Sequence, residues 1–515
     1  MNAQALIPPS ASNIDSWEAI GNKYWNYATL APYLRKPFSI RLPEEEVASH
    51  LQLSWAKELA SESDGPIKAS FTDVKENPLG KAWLKTFENL GYPLTASPFS
   101  GKSIGAYSNV STTNPMTKTR SCANTAYYLP IANRPNLTLI LNATVQKIIL
   151  LDGEDSSEKT ATGVEYVQDN TIKTISSHKE IILSAGVFNS PKILELSGIG
   201  DPDLLRKHSV DVKIANPFVG TNLQDHAVAG ISFEAADGVF TGDDMMRKDP
   251  AVLKWAMDLY QTHQAGPFAS SGLVSFGYLP TVDFSKDTQA LTHFITSISE
   301  SKSAHPLDKA RLSILRSLIE QGDEGTGQFL IFPAQSNAAG NDTTTGLDND
   351  LQPGNFITLA AALSHPISTG TVHISSKDTS IPPTIDHRYL SNDLDVEILA
   401  RHIRYVETIA KTAPLCSLLK VNGRRAHPAS LLDNNLEKAK EYARIGAASN
   451  WHSCGTCAMA PRESGGVVDE KLRVYGVRNL RIVDASIFPL VPQCNLQSLV
   501  YAVAERASDI IKGDN

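Results

Sequence analysis

The chain has 515 residues, 42% of them hydrophobic and 20% charged, with a formal net charge of -8. At ~150 residues per domain, that length exceeds what one hydrophobic core serves and predicts two or three domains. An acidic balance without long basic runs excludes nucleic acid as a partner, and no apolar run approaches the ~18 residues of a membrane span.

The opening text, "MNAQALIPPSASN", lacks the basic and apolar regions of a signal peptide. The chain as written therefore reads as soluble and cytoplasmic, with secretion left open if a leader lies upstream. Cys122, Cys416, Cys454, Cys457 and Cys494 are too scattered for a disulfide scaffold, in keeping with a reducing compartment. Sequons at Asn109, Asn136, Asn142 and Asn341 carry little weight without a leader.

Between Asn136 and Gly200, the runs "LTLILNATVQKIILL", "ATGVEYV" and "KTISSHKEIILSAG" have the composition of strands and read as one sheet, with a turn at "DGEDSSEK". In "VFNSPKILELSGIGD" a short helix is expected, capped by Ser190, with Pro191 at its first position and Gly198 ending it. From about Ala227 to Ala447 the texture changes. Polar loops such as "NAAGNDTTTGLDND" alternate with apolar strands "GQFLIF" and "NFITLAAALS", and "DLDVEILARHIRYVETIAKTA" has the period of an amphipathic helix. This reads as an α+β unit inserted into the first domain. The tail returns to strand text in "NLRIVDASIFP" and closes on a helix that sets Leu496, Leu499, Val500, Val503, Ala507, Ile510 and Ile511 on one face. Asn495 stands where its N-cap belongs.

The chemistry concentrates in "WHSCGTCAMA", residues 451–460. Cys454-Gly-Thr-Cys457 has dithiol spacing, but a Pro- and Gly-rich loop follows it where a redox motif opens a helix. A zinc site from His452, Cys454, Cys457 and Cys494 has acceptable ligands without the paired spacing of such sites, so no metal is expected. Buried thiols are the simpler account. His452 remains a candidate general base, since a neutral imidazole accepts a proton near pH 7; the plainer alternative is a hydrogen-bonded interior histidine.

Read as a unit, "WHSCGTCAMAPRESGGVVDEKLRVYGVRNLRIVDASIFPLVPQCNLQSLVYAVAERASDII" resembles the C-terminal signature of the glucose-methanol-choline (GMC) flavoprotein oxidoreductases. "GVFNSPKILELSGIG" is similar to a second family signature, with Val187 where a small residue is usual. "VGTNLQDH", "GTVHISSKDTSIPPTIDHRYL" with Thr369 in place of a common Arg, and "NIDSWEAIGNKYWNY" extend the likeness over essentially the whole chain.

The resemblance implies an α/β, Rossmann-like FAD-binding domain interleaved with an α+β substrate domain that contains an antiparallel sheet. The expected division is 1–17 at the flavin interface, 18–128 and 227–460 in the substrate domain, and 129–226 and 461–515 in the FAD domain. It implies oxidation of a small-molecule alcohol to an aldehyde or ketone, with O2 or a quinone-like electron acceptor. His452 would take the hydroxyl proton while hydride leaves for flavin N5, and Asn495 would hydrogen-bond the developing alkoxide. Asn2, Val145, Asp484, Ala485, Asn495 and Leu496 match the family's FAD-contacting positions, and the dipole of the terminal helix would favour an anionic reduced flavin.

G-x-G-x-x-G, which binds the diphosphate in such enzymes, does not occur, and Gly198-Ile-Gly200-Asp-Pro-Asp203 is expected to end a helix instead of opening one. The glycine loop and the ribose carboxylate are expected upstream of Met1, so that this chain by itself is expected to bind FAD weakly or not at all. Two alternatives follow: a pseudoenzyme or scaffold that keeps the fold, or a non-redox acid-base catalyst using His452. The substrate, the choice between oxidase and dehydrogenase, and the oligomeric state are not written in the sequence.

Overall fold

The computed structural model describes residues 2–152, 158–301, 305–336 and 351–514. In chain order its main strands are β1 (Gly105–Ser108), β2 (Ala143–Asp152), β3 (Lys159–Gln168), β4 (Thr171–Ser176), β5 (Ile181–Leu183), β6 (Ala227–Glu234), β7 (Ser275–Leu279), β8 (Gly327–Phe332), β9 (Phe356–Leu363), β10 (Ala448–Ser449) and β11 (Leu480–Ile482). The helices that matter here are α1 (Gly186–Leu196), α2 (Asp393–Lys411) and α3 (Gln497–Asp514).

Six strands form an antiparallel sheet in the order β10-β6-β9-β8-β7-β1. Every residue of β9 is buried, which is why its text is continuously apolar instead of alternating. One sheet face, with Phe329, Ile331, Ile357, Leu359 and Ala361, packs on Val396, Leu399, Ile403 and Val406 of α2. Asn392 caps α2 by accepting from Leu394 N, and its apolar stripe follows from the period of the sequence. The other face turns Tyr107, Phe276 and Tyr278 into a second core, built with α3 and the 454–496 segment. Trp17 joins this core and donates from Nε1 to Leu490 O at 3.0 Å.

The 136–186 region corrects the single-sheet reading. β2, β3 and β4 are antiparallel neighbours, but β5 leaves them and runs parallel to β11, nearly three hundred residues away in sequence. Residues 137–141 are exposed and outside the strand, which starts only after the left-handed turn at Asn142 (φ 53°). Most of the expected turn at 152–159, and all of the loop at 337–350, lie outside the described residues.

α1 begins at Gly186, so Ser190 and Pro191 lie inside it instead of capping it. The reason is a distant carboxylate: Asp484 Oδ2 accepts from Gly186 N (2.9 Å) and from Ser190 Oγ (2.5 Å). Gly198 (φ 86°) does end the helix, as its freedom at positive φ allows. Gly200-Asp201-Pro202 then leads into a six-residue helix, Pro202–Lys207, capped by Asp201, so this stretch opens a helix as well as closing one. Among the described residues, no helix is long and apolar enough to cross a membrane.

Candidate active site

His452 is 1% exposed, on the strand-like segment that β10 begins beside β6. Its backbone N donates to Asp225 Oδ1 at 2.9 Å. The Asp225 carboxylate also accepts from Tyr389 Oη (2.7 Å), Ser449 Oγ (2.5 Å) and Ser453 Oγ (3.2 Å), so one buried anion fixes the chain on both sides of the histidine. Trp451 adopts φ 55°, a conformation that bulky residues seldom take, and stands 53% exposed. Burial pushes the His452 imidazole down to about 4, against the opposing pull of Asp225, so the ring is neutral at pH 7. Its Nδ1 lies 2.9 Å from Nδ1 of the equally buried His226.

Asn495 is half-buried two residues before α3. It does not take the expected cap position: Val500 N closes the first helical turn on Leu496 O. The Asn495 Oδ1 accepts from Gln328 Nε2 at 3.0 Å. Gln328, 2% exposed on β8, gives its second amide proton to Tyr278 Oη, and its Oε1 accepts from Asn450 Nδ2 at 3.4 Å. A fully engaged Gln328 thus fixes the Asn495 amide with Nδ2 left to donate elsewhere. Through Asn450, two residues before His452, the same glutamine ties both candidates to the sheet floor.

The other expected positions fall into two groups. Asn2 reaches the site directly, donating from Nδ2 to Trp451 O at 2.7 Å while its own carbonyl accepts from Arg120 Nη2. Leu496 is buried in the core under α3. Val145 on β2, with Asp484 and Ala485 after β11, lies half-buried along the α1 side. There Gly186 (φ 83°) has no heavy atom within 4 Å of where a Cβ would stand, and Ile182 beside it is 45% exposed. The open backbone at Gly186 and the exposed Ile182 leave room on this side for a flat, extended group such as FAD.

A cavity of about 390 Å³ is walled by Gln224, Asp225, Tyr389, Trp451, Ser453 and Phe188 among others; the His452 side chain, buried between Trp451 and Ser453 in the chain, does not line it. A second, of about 370 Å³, lies at the sheet edge around Trp55, Glu88 and Tyr107.

The cysteines do not form a working pair. Cys454, Cys457 and Cys494 are buried free thiols, and burial pushes all three up, Cys494 to about 12. Among the described residues, no group of three or more His, Cys, Asp or Glu is arranged to hold a metal.

Gln328 and Tyr278 were not visible as site residues in the sequence, because only the register of β7 with β8 brings them together. Asp225 and His226 sit in "VGTNLQDH", whose adjacent acid and histidine were the available signal.

Family models described as GMC oxidoreductase match residues 1–228 and 366–504. The dehydrogenase mpl7 of Monascus purpureus is 34% identical over 528 residues, covering 100% of this chain and 82% of that protein. The GMC oxidoreductase family protein Mala s 12 of Malassezia sympodialis is 31% identical over 532 residues, with 100% and 78% coverage. Among solved structures, an FAD-dependent oxidoreductase from Chaetomium thermophilum superposes with a TM-score of 0.85 at 25% identity, covering 100% of this chain and 85% of that one. A formate oxidase gives 0.82 at 25% identity, with 100% and 83% coverage.

Proposed function

Since the chain belongs to the GMC oxidoreductase family, whose cofactor is FAD, we propose that it oxidises a small-molecule alcohol to the aldehyde or ketone, with His452 as proton acceptor and Asn495 as donor to the reacting oxygen. The observation that carries this reading is a buried, neutral imidazole in a segment tied through Asn450 and Gln328 to an amide whose Oδ1, and not Nδ2, is engaged by Gln328. Loss of the hydroxyl proton and departure of hydride both load negative charge on one oxygen, and fixed groups that accept the proton and donate a hydrogen bond stabilise that charge. FAD, when bound, would supply the acceptor for the hydride, with O2 or a quinone-like molecule as the expected final electron acceptor.

His452 receives the proton in an interior that excludes water, and Asp225 holds its backbone in place. Asn495 serves as hydrogen-bond donor to the alkoxide oxygen through Nδ2, and the bond from Gln328 to its Oδ1 keeps the amide from turning over. The name aryl-alcohol oxidase on one superposing structure concerns that protein and shares only the fold; formate oxidase makes formate the informative competitor among donors. The test is anaerobic mixing of the chain, with FAD in excess, against benzylic and aliphatic alcohols and formate. Bleaching of the flavin band by an alcohol supports the reading; bleaching by formate alone would replace it.

A further inference from the structure

The contact between His226 and His452 constrains where the protons of both rings sit. The Nδ1 atoms lie 2.9 Å apart, with the rings nearly perpendicular at 86° and their centroids 5.1 Å apart. Two imidazole nitrogens at that distance attract only if one of them carries a proton. Were His226 the donor, neutral His452 would hold its own proton on Nε2 and would have no lone pair facing away from His226. With His452 as donor, its Nε2 is bare and can accept.

The surroundings choose between the two. The carbonyl groups of Pro492 and Ser364 act on the His226 ring, and a carbonyl only accepts. Since Nδ1 is turned to His452, Nε2 is the nitrogen left to face them. Nε2 is buried without a hydrogen-bond partner of its own, and nearby carbonyl oxygens favour an N–H there over a bare lone pair. A proton on Nε2 of neutral His226 leaves its Nδ1 as an acceptor. Asp225 does not compete for this role, because its link to His452 is through the backbone N–H. His365, the other histidine that acts on His226, is itself buried and pushed down to about 4, so no cation stands near to reverse the arrangement at neutral pH.

We propose that His226 is a positioning residue: it accepts a hydrogen bond from His452 Nδ1–H and so holds His452 in the tautomer whose Nε2 is free to take the substrate proton. The inference rests on the reading of His452 as proton acceptor. In the step, the substrate O–H bond breaks and an N–H bond forms at His452 Nε2. The imidazolium so formed keeps its Nδ1–H on His226, and its charge offsets that on the alkoxide. Fixing a tautomer through the second nitrogen is the general way a histidine is prepared for proton transfer.

The test is a long-range 15N–1H correlation spectrum of the full chain, labelled at histidine, at pH 7.5, with His452→Gln and His226→Asn variants for assignment. The expected result is His452 protonated at Nδ1 and bare at Nε2, in the wild type and in His226→Asn, whose Oδ1 accepts in place of the ring nitrogen. In His226→Leu the His452 proton moves to Nε2 or exchanges between the two nitrogens. With FAD in excess, kcat of His226→Leu falls about 100-fold with little change in KM, and His226→Asn recovers most of it.

A wild-type His452 protonated at Nε2 overturns the proposal, and that spectrum decides the matter even where His226→Leu fails to fold. A His226→Leu spectrum identical to wild type also overturns it. If the spectra behave as expected while His452→Ala turns over at the wild-type rate, it is the reading of His452 as proton acceptor that fails.

Discussion

At the scale of single residues, burial sets the cysteines apart from the groups proposed to do chemistry. Cys454 and Cys457 have the spacing of a redox pair, yet both are fully buried and their thiols are pushed up, which makes them poor nucleophiles. Cys122 and Cys416 are partly exposed, and hydrogen bonds from Thr125 and its neighbourhood pull Cys122 down. A thiol reagent on the native chain should therefore modify Cys122 and Cys416, and reach Cys454, Cys457 and Cys494 only after unfolding. Mass mapping that found Cys454 or Cys457 labelled in native protein would contradict the burial. His452 and Asn495 stand out as candidates because the sequence pattern around them is long and ordered. The cap position predicted for Asn495 could not hold, because its side chain is claimed by Gln328, 167 residues earlier in the chain. Such a partner leaves no local trace.

At the scale of elements, much the same division applies. β9 and α2 were legible because burial on both faces and on one stripe, respectively, writes a distinct period into the text. The start of α1 was not, because Ser190, Pro191 and their neighbours carry every local signal of a helix start, while the true start is set by Asp484 from across the sequence. Asp484 holds three structural hydrogen bonds, the third from Ser486 N at 2.8 Å, and so clamps α1 to the end of β11. Hydrogen bonds to a charged group contribute ~1.5–3 kcal/mol each, and solvent around this half-buried carboxylate reduces their sum. Asp484→Ala should lower stability by about 2–3 kcal/mol, read as a lower urea midpoint at unchanged slope. Asp484→Asn, which keeps acceptors, should lose less. An Asp484→Ala chain as stable as wild type would show that α1 needs no such clamp.

For the whole molecule, the buried histidines set the response to acid. His365 and His452 are pushed down to about 4 and His402 to about 3, all by burial, and burial also lowers His226 well below the usual histidine range. The unfolded chain protonates these rings near pH 6.5 while the folded chain keeps them neutral, so stability is full above that pH and falls as pH drops towards 4. Each ring costs about 1.4 kcal/mol by pH 5.5. Glu195, Glu324 and Asp395, raised by burial, act in the opposite sense and offset part of this loss. Urea midpoints should drop clearly between pH 7.5 and 5.5; a flat profile would mean that these rings are not held neutral. The central claim is that a neutral His452 takes the substrate proton beside FAD, and the most direct measurement is anaerobic single-turnover bleaching of the flavin by an alcohol in wild type and in His452→Ala, each with FAD in excess. The account predicts bleaching in the wild type and a rate lower by about 100-fold or more in His452→Ala with the flavin still bound. Equal rates in the two proteins would contradict it.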